Sequence, residues 1–341
     1  MVQKDIFMIW FDLVTPKSVM FFAPVIEELQ KNNKVLITSR GDKEYNEINQ
    51  LLKNKGLQYY SFGGYGGENL KDKLDFALKR QKQLNEFIQD YNISKLINLC
   101  SVDGCRVAFG NGIEIINFCD FPTGKDDKIT HVARLTLPLS SKIFYPFYIP
   151  KDIFRSYCND IIEYDFLDPV IYLQNQVSKR CFFDSLNLDK SKKTILFREE
   201  EYMSSYVNTK TSFAQEVLQT LDINLIIIPR YENSDIKQQF KNACILEQKI
   251  ELSHILPFVD LFIGGGGTIN IEAVYWEIPT ISTRSFLCHY DRYLINKGLM
   301  HHANNKQNLI NLINKLLYNK IKRSLDVKNV NIKLLIKHLG L

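Results

Sequence analysis

The sequence predicts an α/β protein with two doubly wound parallel-sheet domains, which we expect to face each other across a cleft. Three observations predict this fold class. The chain has 341 residues, more than one hydrophobic core usually organises. In its first half, short β-rich runs alternate with longer segments of helical periodicity, as in βαβ units. After a less regular stretch, the same alternation restarts near residue 194.

The first half alternates from its beginning and predicts a Rossmann-like N-terminal domain over residues 1–150. Strands are predicted at residues 6–13, 34–39, 57–62, 95–101, 113–119 and 142–145. Helices are predicted between them at residues 18–31, 43–54 and 70–91. The carboxyl ends of such strands are where open parallel sheets bind ligands. Residues just after strands are therefore the first candidates for a site.

The second half predicts a C-terminal Rossmann-like domain over residues 194–320, after a linker region at 151–193. Its strands are predicted at residues 194–197, 224–229, 243–246, 261–263 and 280–282. Its clearest helices are predicted at residues 212–221 and 269–276. Residues 321–341 are helical by period, and we expect this C-terminal helix to pack back on the N-terminal domain.

Composition indicates a globular protein whose partners are small molecules rather than nucleic acid. Hydrophobic residues make up 45% and charged residues 24% of the chain, which excludes an intrinsically disordered protein. The 43 basic and 38 acidic residues are interspersed, which favours a solvated surface over a nucleic-acid stripe. The basic stretch at 315–323, with Lys320, Lys322 and Arg323, favours a charged helix face. Peripheral contact with an anionic membrane is the alternative.

Cysteine usage predicts a cytoplasmic protein. Seven cysteines are scattered without a CxxC pair, and no secretory leader precedes them, a pattern typical of reduced thiols. No apolar stretch approaches the ~20 residues that span a bilayer. We expect no metal site, because no cluster of ligand-type side chains with metal spacing occurs.

The strongest candidate feature is a glycine run between a predicted strand and a predicted helix. The run is Gly264, Gly265, Gly266 and Gly267. Such a turn brings backbone N–H groups and a helix terminus to one point, which suits a pyrophosphate. Thr268 is a candidate N-cap, and Glu272 lies one turn later, where its carboxylate could accept ribose hydroxyls. A tight turn without a ligand is the alternative, but it needs fewer glycines.

Further polar residues follow strands of the second domain. Arg198 and Arg230 suit bidentate contact with phosphate, and surface ion pairs are the alternative. Arg284, Asp291 and Arg292 surround the next strand end, where they are candidates for contact with the sugar or phosphates of the same ligand.

In the first domain, Asp12, Thr15 and Lys17 follow the first strand, so we expect them to face the cleft. Asp103 and Asp120 follow later strands and are candidate general bases, because burial can tune a carboxylate toward neutral pH. A helix cap or turn is the alternative for each carboxylate.

His131 and Arg134 are spaced to share one helix face. We group Arg134 with the candidate cleft residues and take His131 as a third candidate base. A structural histidine is the alternative for His131.

At these residues the chain resembles an uncharacterised, mostly archaeal family that also has bacterial members. That family is grouped with GT-B glycosyltransferases and the non-hydrolysing UDP-N-acetylglucosamine 2-epimerases. The matching stretches are residues 12–22, 106–110, 134–139, 264–273 and 291–295. The resemblance implies a GT-B-like fold whose second domain holds a nucleotide sugar, most readily a UDP-sugar, through Gly265, Gly266, Thr268 and Glu272. It also places Asp103 and Asp120 near catalytic carboxylates of the epimerases.

The chain departs from the epimerases at informative positions. Those enzymes carry His-Arg where this chain has Phe197-Arg198, and a pair of glutamates where it has Ile271-Glu272. The epimerase carboxylates ahead of the arginine are also absent around His131. An acid–base partner for epimerisation is therefore missing at these positions.

Three functions follow, in order of preference. The first is metal-independent glycosyl transfer from a nucleotide sugar to an unknown sugar, lipid-linked sugar or glycan, in surface polysaccharide or glycoconjugate synthesis. We expect no cofactor, because the nucleotide sugar is the substrate and backbone N–H groups with Arg198 or Arg230 stabilise the departing diphosphate. The second is C2 epimerisation of a nucleotide sugar, and the third is non-catalytic binding of a sugar nucleotide.

Overall fold

A computed structural model describes most of the chain and divides it into two compact units. The described residues are 7–42, 46–64, 66–67, 69–200, 213–229, 236–246, 251–318 and 328–341. The first unit is Met1–Tyr172 together with Lys328–Leu341, and the second is Leu173–Val327. The division after Tyr172 falls inside the stretch predicted as a linker.

Each unit is built on one parallel sheet. The first sheet has seven strands in the order β3-β2-β1-β4-β5-β6-β7: β1 (Met8–Leu13), β2 (Lys34–Ser39), β3 (Tyr60–Ser61), β4 (Ile93–Asn98), β5 (Glu114–Phe118), β6 (Lys142–Pro146) and β7 (Ile161–Tyr164). The second sheet has six strands in the order β10-β9-β8-β11-β12-β13: β8 (Thr194–Arg198), β9 (Asn224–Ile228), β10 (Cys244–Ile245), β11 (Leu261–Gly264), β12 (Thr280–Ser282) and β13 (His301–His302).

Helices connect these strands. In the described residues they are α1 (Pro16–Leu29), α2 (Glu47–Asn54), α3 (Leu70–Ile88), α4 (Val102–Gly110), α5 (His131–Thr136), α6 (Val170–Leu173), α7 (Arg180–Ser185), α8 (Phe213–Leu218), α9 (Ile236–Gln239), α10 (Thr268–Tyr275), α11 (His289–Asn296), α12 (Lys306–Tyr318) and α13 (Ile332–His338). No helix in the described part of the chain is long and apolar enough to cross a membrane.

The strands at the centre of each sheet are buried on both faces, which is why they read as continuous apolar runs. In β1, Trp10 and Phe11 point to opposite faces and neither is exposed. In β8, Ile195 joins one hydrophobic cluster and Leu196 another on the opposite face. The predicted pair of doubly wound α/β sheets is therefore confirmed.

The last helix belongs to the first unit. Two lysines on strands of the first sheet donate hydrogen bonds to carbonyl groups at the end of α13: Lys95 to Leu339 at 3.4 Å and Lys142 to His338 at 3.3 Å. Leu335 and Leu339 of this segment are buried. Residues 328–341 thus complete the first unit.

Several elements differ from the predicted ones. The predicted strand at 57–62 is only two residues long as β3, while β7, β13 and α4 were not predicted. Strand β4 ends at Asn98 rather than residue 101, because Cys100 has a φ of 51°, which is outside the range of extended backbone. This turn leads directly into α4.

Candidate functional site

The glycine run lies where the strand order of the second sheet reverses. Strands β8 and β11 are neighbours there, although β9 and β10 lie between them in the chain. Gly264 at the end of β11 pairs with Arg198 at the end of β8. Doubly wound sheets bind ligands at the carboxyl ends of strands at such a reversal. The run therefore occupies the position of this unit best suited to a ligand.

The backbone of the run explains why glycines are needed. Gly266 and Gly267 have φ values of 99° and 89°, which only glycine adopts readily. A Cβ on Gly265 would lie 2.2 Å from the Cα of Glu200. Local packing thus accounts for these glycines whether or not the loop binds an anion.

Helix α10 begins at the end of this loop. The prediction that Thr268 is the N-cap is wrong, because Gly267 takes that position and Thr268 is the first helical residue. Because Gly267 has no side chain, it cannot cap the helix through a side-chain hydrogen bond. Its own N–H group donates to the hydroxyl of Tyr290 at 2.8 Å. Glu272 lies one turn into the helix and is half-buried.

A buried polar cluster supports the glycine loop. Arg284 Nη1 donates to the Tyr290 hydroxyl at 2.6 Å and to Asp291 Oδ2 at 3.2 Å. Burial raises the pKa of Asp291, and the Arg284 guanidinium opposes that rise. Burial, together with the neighbouring Asp291 carboxylate, holds the pKa of Tyr290 well above its ordinary value. The cluster connects the end of β12 and the start of α11 to the backbone of Gly267.

Other predicted residues of this unit are placed as follows. Arg198 Nη1 donates to the carbonyl groups of Ile228 and Pro229 at the end of the neighbouring strand β9. Arg292 lies on α11 and is half-buried. Arg230 lies outside the described residues, as do Lys320, Lys322 and Arg323 of the basic stretch. Ligand binding by the residues of this unit stays a prediction.

In the first sheet the strand order reverses between β1 and β4. Thr15, just after β1, is the N-cap of α1, and its hydroxyl accepts a hydrogen bond from the Ser18 N–H at 3.1 Å. The Ser18 hydroxyl in turn accepts from the Thr15 N–H at 3.1 Å, which completes a capping box. Pro16 occupies the first helical turn. The next residue, Lys17, is therefore held on a rigid helix start.

Beside this reversal, two predicted site residues are held in a buried ion-pair network with Arg80 of α3. Arg80 Nη2 donates to Asp12 Oδ1 at 2.6 Å, and Arg80 Nη1 donates to Asp103 Oδ2 at 3.3 Å. Asp12 has no exposed surface, and its oxygens also accept from the hydroxyls of Thr38 and Ser101. Asp12 is therefore placed to hold Arg80 inside the unit.

Asp103 has a second partner as well. The amide of Gln81 donates to Asp103 Oδ1 at 3.0 Å. Both carboxylate oxygens of Asp103 are therefore engaged by side chains of α3. These contacts tie the start of α4 to helix α3.

The second predicted carboxylate, Asp120, belongs to a different cluster. The Lys17 ammonium donates to Asp120 and also to Asp168, the latter at 2.5 Å. The Tyr164 hydroxyl donates to the other oxygen of Asp168 at 2.7 Å. The side chain of Asp168 is 1% exposed, and that of Asp120 is 18% exposed. One ammonium group thus lies between two carboxylates, of which Asp120 is the accessible one.

In this cluster the pKa values of Lys17 and Asp168 are both raised, so each group favours its protonated form. Burial would lower the pKa of Lys17, but Asp120 and Asp168 raise it above its ordinary value. Burial raises the pKa of Asp168, with Lys17 acting against the rise and Asp120 adding to it. Two carboxylates thus share a single cation, and burial favours the neutral form of Asp168.

His131 and Arg134 lie on α5, and both are exposed. Their helix is held by Thr130, whose hydroxyl accepts from the Ala133 N–H at 3.1 Å. The structure therefore brings Lys17 and Asp120 together, and Asp12 and Asp103 together. It leaves His131 and Arg134 as a separate exposed pair.

Arg80 and Asp168 were missed from the sequence. A signal existed for Arg80, because it is in line with Leu84 and Ile88 at helical spacing and therefore occupies a buried position of α3. Asp168 lies in the stretch predicted as a linker, where no periodicity indicated its position.

Comparisons with solved structures show the fold. The chain is similar to UDP-GlcNAc 2-epimerase from Neisseria meningitidis bound to UDP-GlcNAc, with a TM-score of 0.76 and 16% identity over 98% of this chain and 99% of that chain. It is also similar to the glycosyltransferase of kitacinnamycin, with a TM-score of 0.61 and 12% identity over 92% and 91% of the two chains. These likenesses identify the two Rossmann-like domains as a GT-B-like fold.

Comparisons of sequence identify the family. The chain is 26% identical over 320 residues to an uncharacterised protein of Methanocaldococcus jannaschii. The matched region covers 89% of this chain and 90% of that protein. A family model described as a protein of unknown function matches residues 7–338. The chain therefore belongs to the DUF354 family.

Proposed function

We propose that the protein is a nucleotide-sugar-dependent enzyme whose reaction is glycosyl transfer. In this proposal the glycine loop of the second unit binds the diphosphate of a UDP-sugar. The loop's place at the strand-order reversal supports this role. The similarity to a UDP-GlcNAc 2-epimerase that holds its substrate supports the ligand class.

The observation that carries the choice of reaction is the unequal surroundings of the two candidate bases. Asp103 is tied to buried Arg80, whereas Asp120 shares Lys17 with a second carboxylate. Epimerisation at C2 needs proton acceptors on both faces of the sugar ring, while transfer needs only one. Both oxygens of Asp103 are engaged within the first unit, and the Asp120 side chain is the more exposed of the two, 18% against 11%. A single accessible carboxylate favours transfer.

In the proposed reaction, Asp120 accepts the proton from an acceptor hydroxyl. The acceptor oxygen then bonds to the anomeric carbon of the donor sugar, and the bond from that carbon to the diphosphate oxygen breaks. Backbone N–H groups of the glycine loop stabilise the negative charge on the departing diphosphate. Asp168 and Lys17 hold Asp120 in place and stabilise its changing charge.

Release of nucleotide diphosphate tests this proposal. The protein is incubated with a panel of UDP-sugars and with mixed sugar, lipid-linked and glycan acceptors. We expect acceptor-dependent release of UDP, and an Asp120→Asn variant should lose on the order of 100-fold or more in kcat, the usual contribution of a general base. Asp126→Asn is the matched control, because Asp126 is exposed on the following segment and asparagine tolerates its positive φ. Equal rates for the two variants would contradict the role of Asp120.

Epimerisation of a nucleotide sugar is the second candidate. It is favoured by the likeness to UDP-GlcNAc 2-epimerase along nearly the whole of both chains. The two reactions differ in their need for an acceptor: epimerisation proceeds with the UDP-sugar alone, and transfer does not.

A further inference from the structure

We infer that Cys100 and Cys119 form a reversible intramolecular disulfide, which makes the strand edge that carries Asp120 sensitive to oxidation. The two residues lie just beyond the carboxyl ends of the neighbouring strands β4 and β5. Asn98 of β4 pairs with Asn117 of β5, and each cysteine follows two residues later. Neighbouring strands lie about 4.8 Å apart, and disulfides join Cα atoms that are about 4.4–6.8 Å apart.

The contacts of the Cys100 side chain support this proximity. Cys100 Sγ donates to the carbonyl of Phe118 at 3.4 Å, so its sulfur lies next to residue 119. Cys100 also packs against the hydrophobic cluster that contains Cys119. The two thiols are therefore close enough in the fold for us to infer a bond that draws the sulfurs together.

The two thiols differ in solvent exposure, so we assign each of them to a different step of the oxidation. Cys100 is half-buried and Cys119 is 2% exposed. Cys100 also has a φ of 51°, a costly conformation for a residue other than glycine. The neighbouring Cys100 thiol, together with burial, raises the pKa of Cys119 well above its ordinary value. The accessible Cys100 therefore reacts first, and Cys119 completes the bridge.

The oxidant in this scheme is a small-molecule disulfide such as oxidised glutathione. The Cys100 thiolate attacks one glutathione sulfur, which forms a mixed disulfide and releases one glutathione thiolate. The Cys119 sulfur, after losing its proton to solvent, attacks the Cys100 sulfur and releases the second glutathione thiolate. Two protein thiols are oxidised and one glutathione disulfide is reduced to two thiols.

The bridge would act on the candidate site through the backbone. Cys119 directly precedes Asp120, whose carboxylate pairs with Lys17. Drawing the sulfurs to the bonding distance of about 2 Å pulls this segment toward β4 and displaces Asp120 from Lys17. This consequence rests on the proposed function, and a displacement of about 1 Å can cost on the order of 100-fold in turnover. The bridge itself does not depend on that function.

Peptide mass spectrometry of the full-length protein tests the bridge. The protein is equilibrated in glutathione buffers of increasing oxidation, remaining thiols are alkylated, and tandem spectra distinguish Cys100 from Cys105. We expect a Cys100–Cys119 cross-link that dithiothreitol reverses. Cys100→Ser should abolish it, and Cys105→Ala should retain it, because Cys105 is a buried thiol whose sulfur contacts Asn98 and Asn117.

The possible results distinguish the bridge, its effect on the candidate site and the proposed function. Glutathione that stays on Cys100, or a Cys119 that remains alkylated as a free thiol after oxidation, would overturn the proposed bridge. A bridge that forms while UDP release stays unchanged would overturn its control of the site. Absence of UDP release in the reduced protein would count against the proposed function alone, since the cross-link is read by mass.

Discussion

Replacement of Arg80 by methionine tests whether the network around β1 holds the first unit together. The guanidinium donates to the carboxylates of Asp12 and Asp103 and to the carbonyl groups of Ser39 and Phe62. Arg80 is 1% exposed and Asp12 is fully buried. Methionine fills much of the same volume but leaves Asp12 as an unpaired buried charge. Loss of one partner of such a pair costs about 3–5 kcal/mol, which we expect as the fall in the free energy of unfolding.

Tryptophan fluorescence in urea measures this loss within the first unit. The chain has 2 tryptophans, so a Trp276→Phe background leaves Trp10 as the reporter. Trp10 Nε1 donates to Thr38 Oγ1 at 2.8 Å, and Thr38 donates to Asp12. At a slope of about 2 kcal/mol per M urea, Arg80→Met should lower the midpoint by roughly 2 M.

Lys82→Met is the matched control for this experiment. Lys82 lies on the same helix, and its side chain is 78% exposed, so its replacement should change the free energy of unfolding by less than about 0.5 kcal/mol. Asp12→Asn combined with Arg80→Met should recover part of the loss, because no unpaired charge then remains on Asp12. Equal midpoints for Arg80→Met and Lys82→Met would refute the reasoning.

Three further predictions concern the two candidate sites. Lys17→Met should move the acidic limb of the kcat/KM profile to higher pH, because Lys17 lowers the pKa of Asp168 and its loss lets that pKa rise; an unshifted limb would contradict this. Gly265→Ala should weaken UDP binding measured by calorimetry and cost about 1–3 kcal/mol of stability, because its Cβ would overlap Glu200. Asp291→Asn should change how stability depends on pH. The folded-state pKa of Asp291 is raised by burial, so Asp291 makes the wild type more stable as pH falls through that pKa and less stable as pH rises. The variant should lack this contribution when unfolding of the second unit is followed at Trp276.

The order of strands and helices could be predicted because both sheets are parallel and buried. The apolar run of β1 and the apolar run of β11 stand out between polar segments for this reason. Elements that depend on tertiary contacts were harder to predict. Helix α4 has only nine residues and includes Gly104, which packs against Asp12, so its helical signal is weak. Strand β13 has two residues and is defined by its pairing with β12.

Prediction of the site had a similar limit. Strand ends indicated Lys17 and Asp120 as candidates at the carboxyl end of the first sheet, because parallel strands bring their carboxyl ends together. Whether a carboxylate at such an end is free or paired depends on side chains far away in the chain. Arg80 pairs with Asp12 across 68 residues, and Lys17 meets Asp168 across 151 residues. A local sequence pattern cannot predict a contact between residues so far apart in the chain. The different surroundings of Asp103 and Asp120 therefore emerged only from the structure.

The reaction is tested most directly by one incubation in D₂O, with a UDP-sugar and mixed acceptors, followed by mass spectrometry. Glycosyl transfer predicts acceptor-dependent formation of UDP and a glycosylated product, with no deuterium at C2 of the sugar. This activity should be lost in Asp120→Asn and retained in Asp126→Asn. Deuterium at C2 of an otherwise intact UDP-sugar, formed without an acceptor, would contradict glycosyl transfer and identify the protein as an epimerase.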